Sequence, residues 1–271
     1  MGVLHYISPA KSLRHGPALG HEGALPATEP LMLARSNKLA RALRAYDAAG
    51  LSELMEVSEK IAALNLDRNK RLHRPPSEDD PECRRAAFCF HGDAYEALRP
   101  ETLDLAGVGR MGAHLRILSG FYGLLRPGDL IRPHRLEMGR RPAGIGASSL
   151  YEFWGASISK LLAEDAQAMG AREALSLASE EYDRAASVHW SAPIPLHRSR
   201  FETQGATARK VVSFDAKRAR GLFCRHLASG AWSSVAEASE AFGMEGWRLD
   251  RAGPPGALGS REWTFVKGVC A

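Results

Sequence analysis

VLHYISPAK, residues 3–11, is the stretch that decides how this chain is read. Its first six residues, VLHYIS (3–8), are β-branched, aromatic and apolar on both faces, which predicts a strand in the middle of a sheet. Pro9 pushes Ser8 towards extended geometry and ends the strand. Ser8 and Lys11 are thereby presented just beyond a strand's carboxyl end, where ligands gather in α/β proteins. SPAK (8–11) also matches S-x-x-K, the serine–lysine pair of penicillin-binding enzymes. Its companions S-D-N and K-T-G do not occur, and Pro9 makes Ser8 a strand end, so Ser8 stays a remote nucleophile candidate and Lys11 a cation.

Around this strand lie 271 residues, 45% hydrophobic and 25% charged, an ordinary globular composition with room for a substantial core. The formal charge of +5 leans towards anionic partners. Cys83, Cys89, Cys224 and Cys270 are too few and too irregular for a disulfide framework, and a reducing cytoplasm suits them better. No apolar run approaches the ~18–20 residues of a membrane span, and MGVLHYISPAK lacks the pattern of a secretory signal. The expectation is a cytoplasmic protein without a membrane partner.

Helical spacing of leucines predicts helices over about 29–48 and 51–72. AAFCF (86–90) and HLRIL (114–118) read as strands. Residues 149–170 read as one helix, capped by Ser149 and stopped by Gly170. ALSLAS (174–179), KVVSF (210–214) and WTFVK (263–267) complete the strands, and a helix runs over about 215–229 with Asp215 as its cap. Elements of both kinds alternate without a clean βαβ period. The fold class is therefore α+β, a mixed α/β architecture in a single domain over 1–271. GVGRMG (107–112) matches G-x-G-x-x-G, but a helix precedes it and a strand follows, the reverse of a dinucleotide site, so it is read as a loop. Cys83, Cys89 and His91 lack the paired spacing of a zinc site, and no metal is expected.

Two cationic stretches carry the functional reading. LRILSGFYGLLRPGDLIRPHRLEMGRR (115–141) holds six arginines against Asp129 and Glu137, with glycines and prolines every few residues. Such a glycine-hinged hairpin, over 118–127, can aim backbone N–H groups and arginines at a phosphate. In SFDAKRARGLFCRH (213–226), Ala219, Leu222, Phe223 and Leu227 form one helix face, with Lys217, Gly221 and Arg225 opposite. Gly221 costs ~1 kcal/mol in a helix relative to Ala, which implies close approach by a neighbour. Glu137, Asp93, Tyr95 and Tyr182 sit among these cations and are the acid and base candidates of a small-molecule site.

Taken in order, ISPAK (7–11), FHGDAY (90–95), LRILSGFYGLLRPGDLIRPHRLEMG (115–139), LYEFWG (150–155), LASEEY (177–182) and SFDAKRARG (213–221) resemble the YaaA peroxide-stress family. The resemblance implies a YaaA-like fold with a central sheet, a basic cleft and a helix-hairpin-helix-like element. It also implies a cytoplasmic protein that binds DNA and limits peroxide damage, and it supplies no cofactor. By position it marks Lys11, Arg126, Arg135, Lys217, Arg218 and Arg220 as the phosphate- or anion-binding cations. The chain departs from the family pattern at Ser176 (Asn in the family) and His134 (Tyr), near Phe223 (Met), after EEY and in its closing WTFVKGVCA. These departures point to a specialised member.

Two readings follow. The first, which the resemblance favours, is a cleft that grips nucleic-acid phosphates. In the other, it is an enzyme site for a small anionic substrate, a nucleotide or a carboxylate. Charge serves both equally. An open groove wide enough for a duplex favours the first, and a closed pocket around Glu137 favours the second.

Overall fold

Leu4–Ile7 (β1) is fully buried and lies between two parallel neighbours in an eight-stranded sheet. The computed structural model describes residues 2–14, 16–205 and 207–268; Cys270 lies outside them. The remaining strands of the sheet are Leu115–Ser119 (β2), Gly123–Leu125 (β3), Ala174–Leu177 (β4), Leu196–Gln204 (β5), Arg209–Lys210 (β6), Trp247–Ala252 (β7) and Glu262–Lys267 (β8). Their order across the sheet is β7-β8-β5-β4-β1-β2-β3, with β6 paired to β5. Strands β8, β5, β4, β1 and β2 run parallel, while β3, β6 and β7 are antiparallel additions. This is the mixed α/β architecture with a central mixed sheet that the sequence implied.

The helices are Leu33–Arg44 (α1), Ala48–Met55 (α2), Glu59–Asn69 (α3), Asp93–Leu98 (α4), Leu105–His114 (α5), Leu150–Trp154 (α6), Ser157–Ala168 (α7), Glu180–Ser187 (α8), Ser213–Ser229 (α9) and Val235–Ala241 (α10). No helix among the described residues is long and apolar enough to cross a membrane. Phe201 on β5, Phe265 on β8, Phe223 on α9 and Phe242 pack ring against ring, with centroids 4.7–6.4 Å apart. This cluster fixes α9 to the sheet.

Several elements differ from their sequence reading. The helix expected over 51–72 is two helices, because Glu56 takes a left-handed conformation (φ 51°) that ends α2. The one expected over 149–170 is broken at Gly155, although Ser149 does cap α6 by accepting from Glu152 N at 3.2 Å. AAFCF is not a strand: Ala86–Cys89 is a helical turn, and only Phe90–His91 is extended. GVGRMG is helical, not a loop, since it lies within α5, whose cap Asp104 accepts from Gly107 N. KVVSF contributes only Lys210 to a strand, and α9 begins at Ser213. Asp215 does not cap α9; it sits in the first turn and accepts from Thr203 Oγ1 at 2.8 Å. The hairpin at 118–127 joins strands, β2 and β3, with Ser119 opposite Gly123.

Gly221 meets the close neighbour that its place in a helix implied. A Cβ built there would lie 1.8 Å from the carbonyl oxygen of Ala94 on α4. Gly→Ala inside a helix ordinarily gains up to ~1 kcal/mol. Gly221→Ala should instead destabilise by roughly 1–3 kcal/mol, because backbone must move to admit the methyl group. Urea denaturation checks the sign.

Candidate functional site

Strands β1, β2 and β4 end side by side, and residues from their exits line one small cavity. From β1 the chain goes on to β2 on one flank, whereas from β4 it goes on to β5 on the other. The crevice between β1 and β4 is therefore a topological switch point, the place where open α/β sheets leave room for a ligand.

Ser8 ties these exits together. Its Oγ accepts from Ser179 N at 2.8 Å and lies 3.2 Å from Ser179 Oγ, and its carbonyl accepts from Tyr95 OH at 3.0 Å. Beyond Pro9 and Ala10, Lys11 brings Nζ to 3.5 Å from Glu137 Oε1. Arg135 Nη2 donates to that same oxygen at 3.0 Å. Glu137 is 8% exposed, and its other oxygen, Oε2, has no partner. Arg135 Nε is likewise buried and unpartnered. Pro9, Lys11, Ser119, Arg135, Glu137 and Tyr182 are among the residues around a cavity of about 60 Å³.

The segment carrying Arg135 and Glu137 is held from several directions. Arg132 is buried, donates to the carbonyls of Arg74 and Pro75, and pairs with Asp80 at 2.7 Å. Met138 N donates to Tyr182 OH at 3.3 Å, and Gly139 N to Glu181 Oε1 at 2.8 Å, which fastens the segment to the start of α8. Gly120 makes the crossing possible: a Cβ there would lie 2.2 Å from the Leu136 carbonyl oxygen. Burial pushes the Tyr182 and Tyr95 hydroxyls well above their ordinary range, so both stay protonated.

His134 lies in the cavity wall among Phe90, Phe121 and Tyr122. Its Nδ1 is 2.8 Å from the Arg132 carbonyl, so Nδ1 carries the proton, and Nε2 faces Ser119 Oγ at 3.4 Å as an acceptor. Burial lowers its pKa to about 4.

Of the residues expected from sequence, the structure brings Lys11, Arg135, Glu137 and Tyr182 around one cavity, with Ser8 and Tyr95 bracing its edge. Others lie apart. Arg126 donates to Asp165 Oδ1 at 2.7 Å beside Arg116, at the opposite end of β2. Asp93 opens α4, half-buried and off the cavity wall. Lys217 is exposed on α9, and Arg218 is engaged by both oxygens of Glu245 at 2.8 and 2.6 Å. Arg220 is largely desolvated, which lowers its pKa, and no acid pairs with it among the described residues. Sequence reasoning missed Ser119 and Ser179, although Ser119 follows one recognised strand and Ser179 ends another, and a serine at that place was the signal. Cys89 is buried with its thiol pushed up to about 12, and His91 pairs with Glu96. Among the described residues no three His, Cys, Asp or Glu are grouped to hold a metal ion.

The lowered pKa of His134 carries a sign. The unfolded chain, near 6.5, binds more protons than the folded one between pH 6.5 and 4, so this histidine removes stability as the pH falls through that window. By pH 5 its share reaches about 2 kcal/mol. His134→Tyr, which does not titrate there, should lose that part of the slope between pH 7 and 5 in urea denaturation.

The family described as "Peroxide stress protein YaaA" matches residues 3–252. Among curated relatives, a UPF0246 protein of Laribacter hongkongensis is 41% identical over 260 residues, covering 94% of this chain and 96% of that protein. One of Delftia acidovorans is 40% identical over 249 residues, covering 91% and 93%. One of Caulobacter vibrioides is 34% identical over 268 residues, covering 98% and 99%. With matches of this extent, the chain belongs to the YaaA peroxide-stress family.

Proposed function

We propose that the cleft at the carboxyl ends of β1, β2 and β4 binds a small anionic substrate, a nucleotide or a carboxylate, and acts on it by proton transfer. One observation supports this reading above the other: the space around Glu137 is a cavity of about 60 Å³, far too small for a duplex. Lys11, its side chain 65% exposed at the mouth, is the cation that meets the substrate's charge. Glu137 is the base of that transfer, and the Tyr182 hydroxyl, which burial keeps protonated, is a hydrogen-bond donor to the substrate. The cellular setting proposed is the cytoplasm under peroxide stress, as the family's description suggests.

A second reading, contact with nucleic-acid phosphates, is favoured by a different surface. Lys210 and Lys217 are exposed on either side of Val211 and Phe214, which are 48% and 57% exposed. Cations with an exposed ring between them suit a nucleic-acid strand, whose backbone is neutralised while a base stacks. Arg218 and Arg220 share that helix.

Glu137→Gln separates the two. A strain carrying it should be as peroxide-sensitive as a deletion strain, while the purified variant binds DNA as the parent does. Full resistance in that strain overturns the first reading. For the second, Lys217→Glu should shallow the plot of log K against log salt by about 0.9 per lost contact on duplex DNA. DNA affinity that ignores salt in the parent protein refutes it. Arg126→Met should change neither property and lower stability by about 1 kcal/mol, the scale of its partly exposed ion pair.

A further inference from the structure

A second hollow lies away from the cavity at Glu137 and shares no lining residue with it. It measures about 740 Å³, an ordinary size for a small-molecule site, and runs between α1 and the loop after Arg141. Lys38, Arg41, Ala42 and Ala45 fall at i, i+3, i+4 and i+7, so one face of α1 and its cap forms a wall. The facing wall is residues 143–146, fastened where the Ala143 N–H donates to Tyr46 OH at 2.6 Å.

Every polar side chain in these walls has a proton to donate, and none is an acid. The hollows at Glu137, at Glu53 and Glu56, and at Glu152 each carry a carboxylate. Among the described residues no ion pair engages Lys38 or Arg41. Arg41 is exposed and Lys38 and Tyr46 partly so, which leaves all three open to solvent. The Tyr46 hydroxyl accepts from Ala143, and its own O–H has no acceptor among the described residues. Gly144 and Gly146 have φ of 76° and 73° with nothing within 4 Å of a Cβ, so conformation rather than space selects glycine. Successive N–H groups in such turns make anion-binding concavities. Those of Gly144, Ile145 and Gly146 have no partner among the described residues. Between these donors the surface is apolar, with Ala42 and Ile145 buried.

We propose that this hollow binds a phosphate monoester carried on a flat apolar body, as in a nucleoside monophosphate. The phosphate, close to a dianion at pH 7, meets Lys38, Arg41 and the N–H groups of the loop and accepts the Tyr46 O–H. The flat body lies against Ala42, Ala45 and the Tyr46 ring. A carboxylate would answer the two cations with a single charge. The site stands or falls independently of the reaction proposed at Glu137.

AMP, adenosine and inorganic phosphate, titrated calorimetrically into the full chain at low salt, separate the head from the body. AMP should bind about tenfold more tightly than either of the others. The double variant Lys38→Glu/Arg41→Glu should lose that binding yet unfold in urea as the parent does, since both side chains reach solvent. Two bound AMP molecules, one of them lost in the double variant, support the site equally. AMP binding that survives the double variant but is lost in Lys11→Glu belongs to the cavity at Glu137 and overturns the proposal. Inorganic phosphate binding as tightly as AMP overturns it too, leaving a plain anion patch. If AMP is silent and the double variant instead loses binding of a single-stranded oligonucleotide, the surface is a nucleic-acid contact and the proposal fails.

Discussion

Parallel pairing of β1 on both sides is the constraint from which the rest of the structure follows. Parallel neighbours cannot be joined by a hairpin, so each requires a crossover. The chain needs residues 8–114 to travel from β1 to β2, and then 120–173 to reach β4 on the other flank. Three strand exits are thereby gathered at one end of the sheet: Ser8–Lys11, Ser119–Tyr122 and Ala178–Glu181. Ser8 can bond to Ser179 only because β1 and β4 are neighbours that stop level with one another, Ile7 opposite Leu177. The cleft is a product of topology before any side chain is chosen.

The charges in that cleft follow a second physical rule. Taking a carboxylate out of water is expensive unless opposite charge and hydrogen bonds replace the lost hydration. Glu137 receives two cations, yet both address one oxygen. Other buried carboxylates use both oxygens, Glu22 accepting from Arg84 through Oε1 and Oε2 and Asp165 from Arg126 and Arg116, while Glu202, as buried as Glu137, meets Arg200 through Oε1 alone. Those pairs serve the fold. Glu137 is half-used as well, and what sets it apart from Glu202 is its place at the switch point beside the cavity.

How much of this was legible in the sequence depended on what kind of information each segment carries. β1 was legible because a strand buried on both faces is an unbroken apolar run with a proline after it. β5 was not: in LHRSRFETQ charged residues occupy a long stretch of a strand whose centre is partly exposed, so no run or alternation stands out. The five apolar residues of AAFCF fit a strand or a helical turn equally, and only the chain around them decides. GVGRMG was read as a loop because a helix precedes it and a strand follows. In α5, Gly107 lies close to the Ala228 carbonyl and Gly112 against Leu25, so those two glycines are there for packing, whereas nothing crowds Gly109. The Lys11–Glu137–Arg135 cluster came from the resemblance and from strand-end reasoning. That Arg126 and Lys217 lie elsewhere could not be read, because neither composition nor order along the chain says which end of a strand a distant acid occupies.

That last point explains the arginine-rich stretch 115–141. Along the chain six arginines face two acids, which reads as a concentrated positive field. In space the acids arrive from other segments: Asp165 takes Arg116 and Arg126, Asp80 takes Arg132, and Glu56 takes Arg140. Arg135 has Glu137, two residues away. The imbalance is local to the sequence and largely cancels in the fold, so these guanidiniums act chiefly as fixed hydrogen-bond donors that pin a glycine-rich segment beneath the strand ends. What such pinning achieves is position. A phosphate clamp needs cations left free, and in this segment Arg116, Arg126, Arg132, Arg135 and Arg140 are each engaged by an acid.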